Sequence, residues 1–214
     1  LACGQVFAET PIIAEQAAHL YIFQRTPSYT LPARNRPLDP DYVDSWKRNY
    51  RERRNAASST RNNTLNYAGA RSGEELTAEE REREFECRWQ EGGPSSGIGF
   101  MYAFTDMTRS KVVNSHASDF VRRKISKAVS DPSLVEILTP SDYPIGARRL
   151  CVDTGYYETF NRPNVTLVDA RRDPVERMSK GGIQTQSGKF YEVDAIVLAI
   201  GFDAMTGALA KMKI

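Results

Sequence analysis

Histidine, cysteine and tryptophan are all scarce in this chain: among 214 residues there are two histidines, three cysteines and two tryptophans. Cys3, Cys87 and Cys151 stand far apart with no Cys-x-x-Cys spacing, whereas a disulfide framework would bring cysteines in pairs, so a reducing cytoplasm suits the composition. His19 and His116 have no cysteine or carboxylate at ligand spacing, which argues against a metal site and makes them surface or packing residues. No serine lies in a nucleophile-elbow context. Long apolar runs are missing too. The longest, residues 195–200 with its flanks, is far too short to span a bilayer, and the N-terminus lacks a basic-then-apolar signal pattern. Nor is there an excess of charge, because 29 basic residues nearly balance 27 acidic ones and are interspersed with them. That distribution speaks against nucleic acid or an anionic membrane as partner, while leaving room for a specific anionic cofactor.

What is present is enough apolar sequence for a sizeable core, in a length between one and two domains. An alanine-rich segment over residues 8–18 predicts a helix, and the adjoining His19-Leu-Tyr-Ile-Phe-Gln24 predicts a short, buried parallel strand. Pro27, Pro32, Pro37 and Pro40 mark an exposed connection with a boundary near Pro37. Residues 41–91 read as helices with solvated outer faces, anchored by Tyr42, Trp46, Tyr50, Phe85 and Trp89. Within them, the charged run 74–86 reads as a solvated helix face with opposite charges on neighbouring turns.

After a glycine-rich turn at residues 92–99, Phe120, Val121, Ile125 and Val129 predict a helix over residues 119–129, and Pro132, Pro140 and Pro144 break the chain beyond it. Strands are expected at 165–169, at 183–185 between glycine turns, and as a buried strand at 194–201. The order is that of a split α/β domain interrupted by a helical insertion.

In a dinucleotide-binding fold, the residue ending the second strand meets the adenosine ribose. Arg25 stands at that place, followed by Thr26. A carboxylate there would bond the 2'-hydroxyl of NAD but repel the 2'-phosphate of NADP, so a guanidinium with a hydroxyl donor favours NADP. A solvated surface arginine would give the same local pattern.

Four stretches narrow the choice: Phe23-Gln-Arg-Thr-Pro-Ser-Tyr29, Pro32-Ala-Arg-Asn35, Arg149-Leu-Cys-Val-Asp-Thr-Gly-Tyr-Tyr-Glu-Thr-Phe-Asn-Arg162 and Gly201-Phe-Asp-Ala-Met-Thr-Gly-Ala-Leu209. In this order and spacing they resemble type I Baeyer-Villiger flavin monooxygenases of the cyclohexanone and phenylacetone kind, and the resemblance covers nearly the whole chain. It implies a Rossmann-like NADP-binding domain, with its first strand missing, formed by residues 1–36 and 141–203. Residues 37–140 would be the helical insertion, to which Trp89-Gln-Glu-Gly-Gly93 is similar, and residues 204–214 the start of a return to an FAD-binding domain.

The resemblance further implies that Arg25 and Thr26 hold the 2'-phosphate, that Arg148 stands where the family usually has a lysine of the same task, and that Arg149 is the active-site arginine beside flavin and nicotinamide. A guanidinium suits that last role because it stays charged and offers several donors to a developing oxyanion. The implied reaction uses NADPH, FAD and O2 to insert one oxygen atom into a small-molecule ketone, giving an ester or lactone. The FAD would sit on a domain outside this chain, so residues 1–214 alone are expected to be inactive.

Two departures stand out. Ile200 replaces the threonine of the usual Ala-Thr-Gly, and Leu1-Ala-Cys-Gly-Gln-Val6 stands where the family has Gly-x-Gly-x-x-Gly. Side chains where backbone must approach the pyrophosphate would weaken dinucleotide binding, unless those residues are not the natural sequence. A flavin-containing monooxygenase acting on nitrogen or sulfur, and a non-catalytic dinucleotide-binding remnant, are the alternatives.

Overall fold

The computed structural model describes residues 5–60, 63, 65, 68–93, 96–200, 207 and 212. The altered glycine turn at residues 1–4 and the stretch from 201 onward, apart from 207 and 212, lie outside them. Along the chain run α1 (Gln5–Gln16), β1 (Leu20–Gln24), β2 (Thr30–Pro32), α2 (Pro40–Arg48), α3 (Tyr50–Ser58), α4 (Ala78–Glu91) and a 3-10 segment (Gly97–Tyr102). Then come α5 (Lys111–Ala128), α6 (Pro132–Leu138), β3 (Cys151–Asp153), α7 (Tyr156–Thr159), β4 (Val165–Asp169), β5 (Val175–Ser179), β6 (Gly182–Thr185) and β7 (Phe190–Glu192). The parallel pairs β1–β4 and β2–β3 with their helices make this a Rossmann-like α/β arrangement carrying additional helices. The chain divides into two compact units, one of residues 1–28, 124–140 and 155–214, the other of residues 29–123 and 141–154.

In the first unit β1 and β4 pair in parallel from Leu20 opposite Val165 to Gln24 opposite Asp169, so both strands end flush. Tyr21 and Phe23, two residues apart and hence on one face, each place a ring 5.1 Å from that of Tyr191 on β7. Tyr191 belongs to an antiparallel meander, β5-β6-β7, larger than the single strand expected at 183–185. Gly182 is obligatory in it: φ is 150° and an added Cβ would fall 2.0 Å from the Tyr191 carbonyl oxygen. α1 packs on α7 through Phe7 and Tyr156, whose ring centroids are 4.5 Å apart. Asn164 donates from Nδ2 to the Ala14 and Ala17 carbonyls, at 2.9 and 3.0 Å, and so satisfies two acceptors at the open end of α1.

The core of the second unit is aromatic. Phe85 lies 5.3 Å from Phe100, 5.4 Å from Phe104 and 5.7 Å from Phe120, measured between ring centroids. α5 begins well before residue 119: Val113, Ala117, Phe120, Val121 and Ile125 form one buried stripe at helical spacing. α4 opens with a capping box in which the Glu80 N–H donates to Thr77 Oγ1 and the Thr77 N–H donates to Glu80 Oε2.

Four expectations are corrected. The charged face of α4 is not wholly solvated, since Arg81 and Arg88 are only 8% and 6% exposed. Arg81 Nη1 donates to the Gly73 and Leu76 carbonyls at 2.7 and 2.6 Å, and Arg88 Nη1 to the Gly99 carbonyl at 2.7 Å. Carbonyls of the loops that flank the helix in sequence thus draw in two cations that the local pattern places in water.

Tyr42 and Tyr50 are not core anchors. They are exposed on α2 and α3, which bury no residue, while Trp46 and Trp89 are half-buried. Pro132 begins a helix instead of breaking one, because it follows the N-cap Asp131 and needs no N–H there. Finally, residues 194–200 form no strand, and Val197, Leu198 and Ile200 are 64%, 62% and 78% exposed. Apolar composition does not make a strand without a ladder, and β1 and β4 pair with each other.

Candidate nucleotide-phosphate site

Parallel strands present ligands at their carboxyl ends. At that end of the first unit, β1 stops at Gln24 and β4 at Asp169, and the Ala170 N–H donates to the Gln24 carbonyl at 2.9 Å, extending the ladder by one bond. Gln24 is fixed by its own side chain, with Nε2 donating to the Ile137 carbonyl at 3.0 Å. Beyond it Arg25 is exposed and Thr26 half-buried. The chain leaving Thr26 is tied down where Tyr157 donates its hydroxyl to the Ser28 carbonyl at 2.9 Å.

On the neighbouring strand Asp169 Oδ1 accepts from the backbone N–H groups of Arg171 and Arg172, at 2.9 and 3.3 Å. The two arginines then part. Arg172 pairs with Glu136 at 2.9 Å and with Asp169 at 3.5 Å, whereas Arg171 donates from Nε to the Arg25 carbonyl at 3.3 Å.

Arg148 and Arg149 belong to the second unit and are both exposed. Their loop is pinned at Ile145, whose N–H donates to Ser118 Oγ at 3.1 Å and whose carbonyl accepts from Asn114 Nδ2 at 2.9 Å. The guanidinium of Arg148 lies 4.6 Å from the centre of the Tyr143 ring. Tyr143 in turn is held by the buried Tyr29, whose hydroxyl donates to its carbonyl at 3.3 Å and whose ring lies 5.5 Å away, edge to face. The Arg149 carbonyl accepts from Cys151 Sγ at 3.8 Å as the chain enters β3. The four expected residues therefore fall into two pairs, one in each unit. Sequence reasoning did not single out Arg171, the first of a further arginine doublet that begins two residues beyond the end of β4.

The groups at the end of β1 fit a phosphate-bearing ribose. Guanidiniums and a hydroxyl donor stand at that end, and the Asp169 carboxylate is engaged with its own turn and with Arg172. Among the described residues no group of three histidine, cysteine or carboxylate side chains is placed to hold a metal ion, and no helix is long and apolar enough to cross a membrane.

The chain is similar to proteins whose chemistry is named. It is 38% identical over 204 residues to 2-oxo-Δ3-4,5,5-trimethylcyclopentenylacetyl-CoA monooxygenase of Pseudomonas putida, covering 95% of this chain and 37% of that protein. It is 38% identical over 214 residues to a Baeyer-Villiger monooxygenase of Pseudooceanicola batsensis, covering 98% and 37%. With phenazine N-monooxygenase of Lysobacter antibioticus it shares 33% identity over 202 residues, covering 92% and 36%.

Two solved structures superpose closely. Oxidized steroid monooxygenase bound to NADP matches with a TM-score of 0.85 and 44% identity, over 94% of this chain and 38% of the other. OTEMO in complex with FAD and NADP matches with a TM-score of 0.88 and 37% identity, over 94% and 36%. No protein-family model matches the chain.

Sequence and fold together place this chain among the flavin monooxygenases. The chain belongs to the Baeyer-Villiger monooxygenase family and spans little more than a third, 37%, of the length of the first two curated relatives.

Proposed function

We propose that this chain is the NADP-handling segment of an enzyme that inserts one oxygen atom of O2 into a small ketone, giving an ester or lactone. Residues 1–36 and 141–203 form the NADP-binding domain in this reading, residues 37–140 its insertion, and FAD is held outside residues 1–214. The observation that carries it is the position of Arg25 and Thr26 directly after β1, at the carboxyl end of a parallel strand pair.

Arg25 and Thr26 bind the 2'-phosphate of NADP, and Arg148 adds a second cation to the same group. Arg149 places fixed donors beside the flavin and the nicotinamide, where negative charge develops on oxygen. Bound FAD supplies the redox chemistry toward O2. No nucleic acid or membrane takes part, and the work is done in the cytoplasm.

The test is turnover by the intact enzyme with NADPH, O2 and a panel of cyclic and linear ketones. Ketone-dependent NADPH oxidation with an ester or lactone as product is expected, and residues 1–214 alone should yield none even with added FAD. NADPH oxidation that gives no oxygenated product from any ketone would overturn the reading. A second reading, oxygenation of nitrogen in a heteroaromatic ring, draws on the similarity to phenazine N-monooxygenase. An N-oxide from a phenazine, with ketones left unchanged, would favour it.

A further inference from the structure

We infer that Arg171 is an additional specificity-determining residue, supplying a guanidinium from the end of β4 to the 2'-phosphate that Arg25 and Thr26 hold from the end of β1. The inference rests on the proposed NADP role of those two residues and adds a group that the family resemblance did not supply.

Strand register places the residue. Because Gln24 stands opposite Asp169, and Ala170 continues the ladder onto the Gln24 carbonyl, Arg171 emerges beside residues 25 and 26. Two hydrogen bonds set its direction. Asp169 Oδ1 receives the Arg171 N–H and closes a tight turn, and the side chain then runs across β1 until Nε meets the Arg25 carbonyl. With its Nε bonded to the Arg25 carbonyl, the Arg171 guanidinium lies beside residue 25, so that an anion gripped by Arg25 and Thr26 would come within a side chain's reach.

The neighbouring arginine supplies the contrast. Arg172 turns to Glu136 and Asp169, two carboxylates of the same unit, and its charge is matched within the protein. Two successive arginines are thus directed differently, Arg171 across β1 to the Arg25 carbonyl and Arg172 toward Glu136 and Asp169. A ribose 2'-phosphate carries a charge of about −1.5 to −2 at neutral pH and presents three acceptor oxygens, each able to accept more than one hydrogen bond, so it can take a further donor beside Arg25, Thr26 and Arg148. A further fork-shaped donor suits such an anion. NADH lacks that phosphate, so Arg171 should matter little to it.

The test is binding to the intact enzyme by isothermal titration calorimetry, with adenosine 2',5'-bisphosphate and adenosine 5'-monophosphate as probes. Arg171→Ala should weaken the bisphosphate about tenfold, the usual scale for losing one charge-assisted bond, and leave the monophosphate unchanged. Arg171→Lys should recover part of the loss, and Arg172→Ala should behave as wild type. Because Arg171 is exposed, these variants leave the core intact. Unchanged bisphosphate affinity in Arg171→Ala overturns the inference. If Arg25→Ala weakens binding while Arg171→Ala does not, this inference falls and the NADP reading stands; if neither does, both fall.

Discussion

The guanidinium of Arg148 rests on the face of Tyr143, 4.6 Å from the ring centre, and Tyr143 is braced by the buried Tyr29. A cation seated on an aromatic face gains attraction without losing its charge, and its orientation is narrowed before any ligand arrives. If Arg148 meets phosphate as proposed, that narrowing lowers the entropy lost on binding.

Tyr143→Ala should therefore raise the KM for NADPH, with kcat little changed. Exposed cation-π contacts are worth about 0.5–1 kcal/mol, so the rise should be roughly two- to fivefold. Tyr143→Phe keeps the ring and should stay near wild type. Steady-state kinetics with NADPH and NADH check this, since NADH should respond to neither change.

Phe85 is fully buried among three other phenylalanines. Phe85→Ala leaves a cavity that rings pinned by one another cannot fill, and should cost about 3–5 kcal/mol. Denaturant unfolding followed by tryptophan fluorescence reads it directly, because Trp89 packs 5.8 Å from Phe120 in the same cluster.

Gly182→Ala should destabilise the β5-β6-β7 meander by about 1–3 kcal/mol, since backbone strain at its φ adds to the clash with the Tyr191 carbonyl. Hydrogen exchange should show faster opening at residues 175–192, and protection at wild-type levels there would refute the account.

Asp106 illustrates a carboxylate that steadies a loop. Burial pushes its pKa up, but donation from Ser72 Oγ at 2.6 Å and from the Gly73 and Glu74 N–H groups at 2.8 and 3.1 Å outweighs burial, and the pKa falls below the ordinary aspartate range. A depressed folded pKa contributes stability that is fully present above the unfolded value and lost as pH falls through the folded one. Asp106→Asn should accordingly be less stable than wild type at pH 7, and the gap should close on acidification below the ordinary aspartate pKa. A gap that stays constant from pH 7 to pH 2 would show that the charge is not the cause.

These elements differ in how legible they were. β1, β4 and the second half of α5 could be read because side-chain periodicity and β-branched or aromatic content are local. The burial of Arg81 and Arg88 could not, for their partners are backbone carbonyls of the flanking loops, at Gly73, Leu76 and Gly99, whose direction side-chain periodicity does not give. Residues 194–200 look like a strand by composition, yet strand formation depends on a neighbour that composition does not name. The site divides in a similar way. The position of Arg25 directly after a strand was legible, Arg148 and Arg149 were singled out only through family resemblance, and the place of Arg171 beside Arg25 followed only from the register of β1 and β4.

The central claim is that Arg25 and Thr26 discriminate by the 2'-phosphate, and the most direct measurement is the ratio of NADH to NADPH dissociation constants for the intact enzyme before and after Arg25→Ala. The account predicts that the ratio falls about tenfold or more, through weaker NADPH binding alone. An unchanged ratio, or an equal weakening of both nucleotides, would contradict it.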